Sequence, residues 1–124
     1  MNLKKLKKKY QELGDEIKKL EQVTEIHRIE GKVLEWGELA DEGMDWHDAK
    51  GWCEKKGNGW RLPTPIELLQ AYEDNIKGFS TGGHWSGTEY SVTNARAVYF
   101  SDGSLYSHNK TSSCSVRCVR NKKQ

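Results

Sequence analysis

Three cysteines, four histidines and one cluster of carboxylates are the side chains of this 124-residue chain whose types and spacing could support covalent or metal chemistry. Cys53, Cys114 and Cys118 lack the Cys-x-x-Cys spacing of a zinc site and are too few for a disulfide framework, so at most one pair forms within the chain. In a reducing compartment they would stay thiols. Cys114 and Cys118 flank Arg117 but have no identifiable histidine base, and Cys53 falls on a helix face, so no thiol nucleophile is assigned. His27, His47, His84 and His108 are scattered without the close spacing of a metal-binding pair. Asp41, Glu42, Asp45 and Asp48 are the one acidic cluster, and they read as a solvated loop and helix start rather than the converging oxygens a hard cation needs. The expectation is therefore a protein with no catalytic residue, no metal and no cofactor, and not an enzyme.

The segments that must position any functional surface are more legible. In Gly59-Trp60-Arg61-Leu62-Pro63-Thr64-Pro65-Ile66-Glu67-Leu68-Leu69, Thr64 is a good N-cap, Pro65 suits the first helical position and Glu67 completes a Thr-x-x-Glu capping box. A helix is predicted from Pro65 to about Tyr72 or Asp74. Each proline pushes its predecessor out of the helical region, so Leu62 and Thr64 are extended, and Arg61 is expected to pair with a carboxylate inside the domain. An earlier helix starts at an Asp45 cap, carries Trp46, Ala49 and Cys53 on one face and stops at Gly57.

Strand signals bracket these helices. Glu25 to Trp36 holds two short strand-like runs around Glu30-Gly31, a hairpin. After Gly78 helical periodicity gives way to four candidate strands: His84 to Tyr90, Ala95 to Ser101, Ser104 to His108 and Ser115 to Arg120. Asp102-Gly103 is a short-hairpin signal, which would put Val98 and Phe100 toward the core and Tyr99 on the other side.

At the N-terminus, Leu3, Leu6, Tyr10, Leu13, Ile17 and Leu20 follow the 3-4 spacing of a coiled-coil seam. The pattern fails at Thr24 and His27, and Gly14 weakens the helix by roughly 1 kcal/mol relative to alanine. So short a helix is marginal alone and would gain from self-association, with a trimer favoured, or from docking on the domain. The expected division is an oligomerisation helix over 1–23, one domain over 24–120 and a polar tail over 121–124.

Composition agrees with a single small core. Charged residues make up 31% of the chain, but the excess sits at the N-terminus, whereas all five tryptophans lie between Trp36 and Trp85. The net charge of +2 is too small to argue for nucleic acid, and the run Lys4, Lys5, Lys7, Lys8 and Lys9 reads as a solvated helix face. No apolar stretch has the length of a membrane span, and no signal-peptide core follows the basic run.

The order hairpin, two helices, antiparallel strands resembles the C-type lectin fold and, more narrowly, the Lcl C-terminal family of bacterial and phage domains. The residues that carry the resemblance are Val33-Leu34-Glu35-Trp36, Trp46-x-x-Ala49 with Cys53, Gly59 to Thr64 with Glu67-Leu68, Trp85-Ser86-x-Thr88-Glu89, Ala95-x-x-Val98-x-Phe100-x-x-Gly103, and Val116 to Arg120. The resemblance implies an α+β domain with two helices and a small antiparallel sheet, behind the N-terminal coiled coil. It also implies a disulfide between the first helix and the last strand, Cys53 with Cys118, leaving Cys114 alone.

Domains of this fold bind ligands on their late strands and loops, here about residues 79–113. That segment is rich in Ser, Thr, Asn, Gly and Tyr, which suits an adaptable recognition surface. The candidate ligand contacts are Trp85, Tyr90, Asn94, Arg96, Tyr99, Tyr106, His108 and Asn109, of which Trp85 and Arg96 are the first to be read as core or scaffold instead. The Glu-Pro-Asn, Gln-Pro-Asp and Trp-Asn-Asp signatures of calcium-dependent sugar binding are missing. Formylglycine-generating enzymes share the related fold but are considerably longer.

The reading that follows is a recognition or adhesion module, made multivalent by its coiled coil, on a phage virion or a bacterial surface. Its ligand would be a cell-surface glycan or protein, with no nucleic acid and no membrane insertion. The alternatives are a structural virion decoration or assembly protein without a ligand of its own and, for location, the cytoplasm.

Overall fold

Among the described residues, six strands and two helices follow one another as β1 (Glu25–Ile29), β2 (Lys32–Leu39), α1 (Trp46–Glu54), α2 (Pro65–Glu73), β3 (Gly83–Glu89), β4 (Asn94–Tyr99), β5 (Ser104–Asn109) and β6 (Arg117–Asn121). This computed structural model describes residues 25–29 and 31–122. The expected heptad helix over 1–23 lies outside the described residues.

Both helices start as their capping residues dictate. The Asp45 carboxylate accepts the Asp48 N–H at 2.8 Å, and α1 buries Trp46, Ala49 and Cys53 on one face before Gly57 ends it at φ +67°. At α2 the capping box is complete, with Glu67 N–H donating to Thr64 Oγ1 at 3.1 Å and Thr64 N–H donating to Glu67 Oε1 at 2.8 Å. Arg61 adds a two-pronged pair to the same carboxylate, Nη1 to Oε1 and Nη2 to Oε2, both at 2.8 Å. Its backbone exchanges hydrogen bonds with Val119 at 2.9 Å, and Nη2 also donates to Asn121 Oδ1. The conspicuous Trp-Arg-Leu-Pro-Thr stretch thus ties the start of α2 to the last strand.

The late strands do not form one meander of four. They divide between two three-stranded antiparallel sheets, β1-β2-β6 and β3-β4-β5. β6 leaves its sequence neighbours to pair with β2, Trp36 opposite Val119 and Leu34 opposite Asn121. The reason is burial: Val119, Leu34 and Trp36 close one core cluster with Leu68 of α2, and only the β2 edge places Val119 there. Residues 114–116 stitch the sheets together. Trp85 N–H donates to Ser115 O, Ser115 N–H to Gly83 O and Ala40 N–H to Val116 O, at 2.8 to 3.0 Å. The last strand also runs beyond residue 120, because Lys122 N–H donates to Val33 O at 2.8 Å.

The second core cluster joins Trp46, Ala49 and Cys53 of α1 to Trp85, Ala97 and Cys118. The Cys53–Cys118 disulfide runs through it, with 5.5 Å between Cα atoms and 65 residues between partners. Cys114 is a buried free thiol.

The first hairpin closes with Ile29 opposite Lys32. The β4–β5 turn is longer than the two residues expected, since Tyr99 opposite Ser104 is the closing pair. Phe100 leaves the ladder to stack on Phe79, 4.1 Å between centroids, and Gly103 takes φ +73° with no room for a Cβ beside the Tyr72 ring. Val98 and Phe100 still face the core, and Tyr99 the opposite side.

Candidate functional site

Side chains alternate across a strand, and in the β3-β4-β5 sheet this sorts the recognition candidates onto two faces. Register places Trp85, Ala97 and Tyr106 in one cross-strand row, with Ala95 and His108 in a second and Gly83, Tyr99 and Ser104 in a third. The intervening rows, including His84, Val98 and Leu105 or Arg96 and Ser107, project the other way.

On the first face the central strand contributes only small side chains, Ala95 and Ala97, before Tyr99, so the aromatic rings from β5 fold over it. Tyr99 and Tyr106 meet edge to face at 4.9 Å, and His108 lies 5.4 Å from Tyr99 and 6.1 Å from Tyr106. Trp85 approaches His108 at 6.3 Å, but it is fully buried and its indole N–H donates to Met44 O at 2.8 Å, so it supports the cluster from the core. Gly83 makes room for Tyr99, since a Cβ there would lie 3.2 Å from that ring.

Tyr99, Ser101, Asp102, Tyr106 and His108 line a concavity of about 290 Å³. Tyr106 is 46% exposed at its edge. Asp102 Oδ1 accepts the Ser104 N–H at 3.0 Å, an Asx turn that holds the carboxylate at the mouth. His108 Nε2 is shielded from solvent with no hydrogen-bond partner among the described residues.

The remaining candidates lie elsewhere. Tyr90, 62% exposed, covers the Arg96 guanidinium at 4.7 Å, and Arg96 Nη1 donates to Ser107 Oγ at 3.0 Å on the opposite face. Asn94 and Asn109 pair at the strand ends, where Asn109 Oδ1 accepts from the Thr111 N–H and hydroxyl. The eight residues are therefore not one surface: Tyr99, Tyr106 and His108 come together over Trp85, and Tyr90, Asn94, Arg96 and Asn109 do not join them. Ser101 and Asp102 complete the concavity and were not among the sequence candidates. Counting alternate residues from Tyr99 would have brought in Ser101, while Asp102 joins from the turn itself.

The other chemistry-bearing groups are engaged structurally. His84 is buried with Nδ1 against Gly82 O at 2.9 Å, and Nε2 accepts the Ser80 N–H, so the proton sits on Nδ1. Burial pushes its pKa down to about 4, which leaves a poor base beside the Ser80 hydroxyl at 3.4 Å. Burial likewise pushes the Cys114 thiol up to about 11, away from thiolate reactivity. Arg117 donates to Gly37 O and Lys77 O, both at 2.6 Å, and its guanidinium lies over the Phe79 ring. Asp45 of the acidic cluster is the α1 cap. Among the described residues no three His, Cys, Asp or Glu side chains converge as a metal site, and no helix is long and apolar enough to cross a membrane.

The comparisons with known proteins agree with this architecture. The Lcl C-terminal domain family matches residues 27–120. Among solved structures, the crystal structure of botrocetin superposes with a TM-score of 0.58 at 13% identity, covering 78% of this chain and 96% of that one. Botrocetin in its complex with a mutant von Willebrand factor A1 domain gives 0.51 at 14% identity, with the same coverage. Botrocetin has the C-type-lectin-like fold, so the likeness places this chain in that fold class. No curated protein sequence matches the chain.

Proposed function

Because the chain belongs to the Lcl C-terminal domain family, we propose that it is a non-enzymatic recognition module that binds a protein or glycan receptor through the Tyr99–Tyr106–His108 face. One observation carries this reading: a half-exposed tyrosine, a second tyrosine ring, a histidine and a carboxylate line one concavity, and its His108 meets the fully buried Trp85 ring at 6.3 Å. Rigid aromatics bury contact area at small entropic cost, and a preformed floor avoids ordering on binding.

A protein ligand is supported by the structural neighbour, since botrocetin is found in complex with a von Willebrand factor A1 domain. The nucleophile and metal readings lose support from the neutral, engaged His84 and the buried Cys114. In the proposal the N-terminal heptad segment joins several copies, trimers being favoured, and displays them on a virion or cell surface. Joining sites in this way raises avidity by roughly 10² to 10⁴ without new contacts.

The test is a screen of the full-length protein against glycans and cell-surface proteins, repeated with Tyr99→Ala/Tyr106→Ala. Loss of binding at unchanged thermal stability supports the proposal. Binding by the double variant as tight as by the parent removes the site, and no binding by either protein favours a structural decoration role.

A further inference from the structure

We propose that the concavity beside Tyr99 receives a cationic side chain, lysine or arginine, presented by a protein partner. This rests on the recognition reading above and narrows it to one ligand chemistry.

Charge is distributed unevenly around the site. Of the residues that line the concavity, Asp102 is the one carboxylate, and it takes part in no ion pair among the described residues. Its Oδ1 accepts the Ser104 N–H, and Oδ2 has no partner among the described residues. The next carboxylate on the same face, Glu89, is already neutralised by Lys110 Nζ at 2.8 Å. The cation nearest in the β4 sequence, Arg96, is held on the opposite face by Ser107 and Tyr90. Among the described residues no cation lines the concavity, and one carboxylate stands there beside aromatic rings.

An ammonium or guanidinium entering the concavity would meet two attractions together, the Asp102 charge and the negative π-faces of the rings. An anionic ligand would face Asp102 without a compensating cation. A sugar ring fits less well, because Tyr99 and Tyr106 stand edge to face at 79°, so each hides part of the flat surface that stacking on a pyranose needs. The aliphatic stem of lysine or arginine can lie along Tyr106 while its head reaches Asp102.

The experiment titrates the full-length protein with Nα-acetyl-lysine amide and Nα-acetyl-arginine amide, following the ring signals of Tyr99, Tyr106 and His108 by NMR. Nε-acetylated lysine amide and free galactose are the neutral comparisons. Asp102→Asn removes the charge but keeps an Oδ1 acceptor for the Ser104 N–H, so the hairpin is retained. The expected result is that the cationic probes shift these signals, and that either loss of charge, on probe or protein, weakens binding about 5-fold. Equal shifts from neutral and cationic probes, or no shift from any probe, would overturn the cation inference. The recognition reading fails separately, if Tyr99→Ala/Tyr106→Ala leaves binding to a receptor found in the screen unchanged.

Discussion

Gly83 of β3 lies directly across the ladder from Tyr99 of β4, and the tyrosine ring rests over the position where any other residue would carry a Cβ. A site built from three rings on an edge of a small sheet depends on such an opening. Gly83→Ala places a carbon 3.2 Å from the ring, tighter than ordinary van der Waals contact. The expected outcome is a displaced Tyr99, a modest loss of stability of about 1 kcal/mol and a several-fold loss of receptor affinity. Ring-proton shifts of Tyr99 and a denaturation curve measured on one sample check both parts, and an unmoved ring would contradict the packing argument.

The Arg61–Glu67 pair sits in the motif that starts α2, and its carboxylate is 5% exposed. Burial alone would raise the Glu67 pKa, but the hydrogen bonds from Arg61 and Thr64 and the Arg61 charge together hold it below the ordinary glutamate value. Glu67→Gln keeps an acceptor for the Thr64 N–H but leaves Arg61 without its partner. Urea denaturation should show a loss of about 1 to 2 kcal/mol, with Glu67→Ala losing about 1 kcal/mol more as the capping box goes. Equal stability of both variants and the parent would show the pair to be ornamental.

Acid should destabilise the domain from neutrality downward. His84 has a folded-state pKa of about 4 against an ordinary value near 6.5, so the unfolded chain binds its proton first. Its contribution is complete above pH 6.5 and is lost as pH falls through the folded value, on the order of 3 kcal/mol in all. Glu67, also depressed, adds loss in the same direction at lower pH. Denaturation midpoints taken between pH 7 and 4 should fall steadily, and a flat profile across that window would exclude a buried neutral His84.

Reduction should act through one bond. The Cys53–Cys118 bridge closes a loop of 65 residues, worth roughly 4 kcal/mol by chain entropy. Reductant should lower the thermal midpoint of the parent and of Cys114→Ser alike. In the native oxidised protein an alkylating reagent should modify Cys114 slowly, since the thiol is buried with a pKa of about 11. Rapid labelling would mean that the strand carrying Cys114 opens readily.

How much of this could be read from the chain follows the range of the interactions. The α2 start was legible in full, because Thr64, Pro65 and Glu67 act on each other within one turn. The Cys53–Cys118 pairing came only from family resemblance, since the two residues are 65 positions apart. β6 was seen as a strand but not as the partner of β2, since nothing within residues 115–121 encodes which of two sheet edges will bury Val119. The candidate segment 79–113 was singled out by its Ser, Thr, Asn, Gly and Tyr content, yet composition does not say which residues share a face. The period of two does, and it separates Tyr99, Tyr106 and His108 from Arg96. Asp102 was read as a turn residue, and its carboxylate became part of a site only once Tyr99 and Tyr106 were placed beside it.

The central claim is that the Tyr99–Tyr106–His108 face binds a receptor, and the most direct measurement is receptor affinity of the full-length protein against Tyr99→Ala/Tyr106→Ala. The account predicts that the double variant keeps its thermal midpoint within a few degrees and loses at least ten-fold in affinity, about 1.4 kcal/mol. Retained affinity in a folded double variant would contradict it.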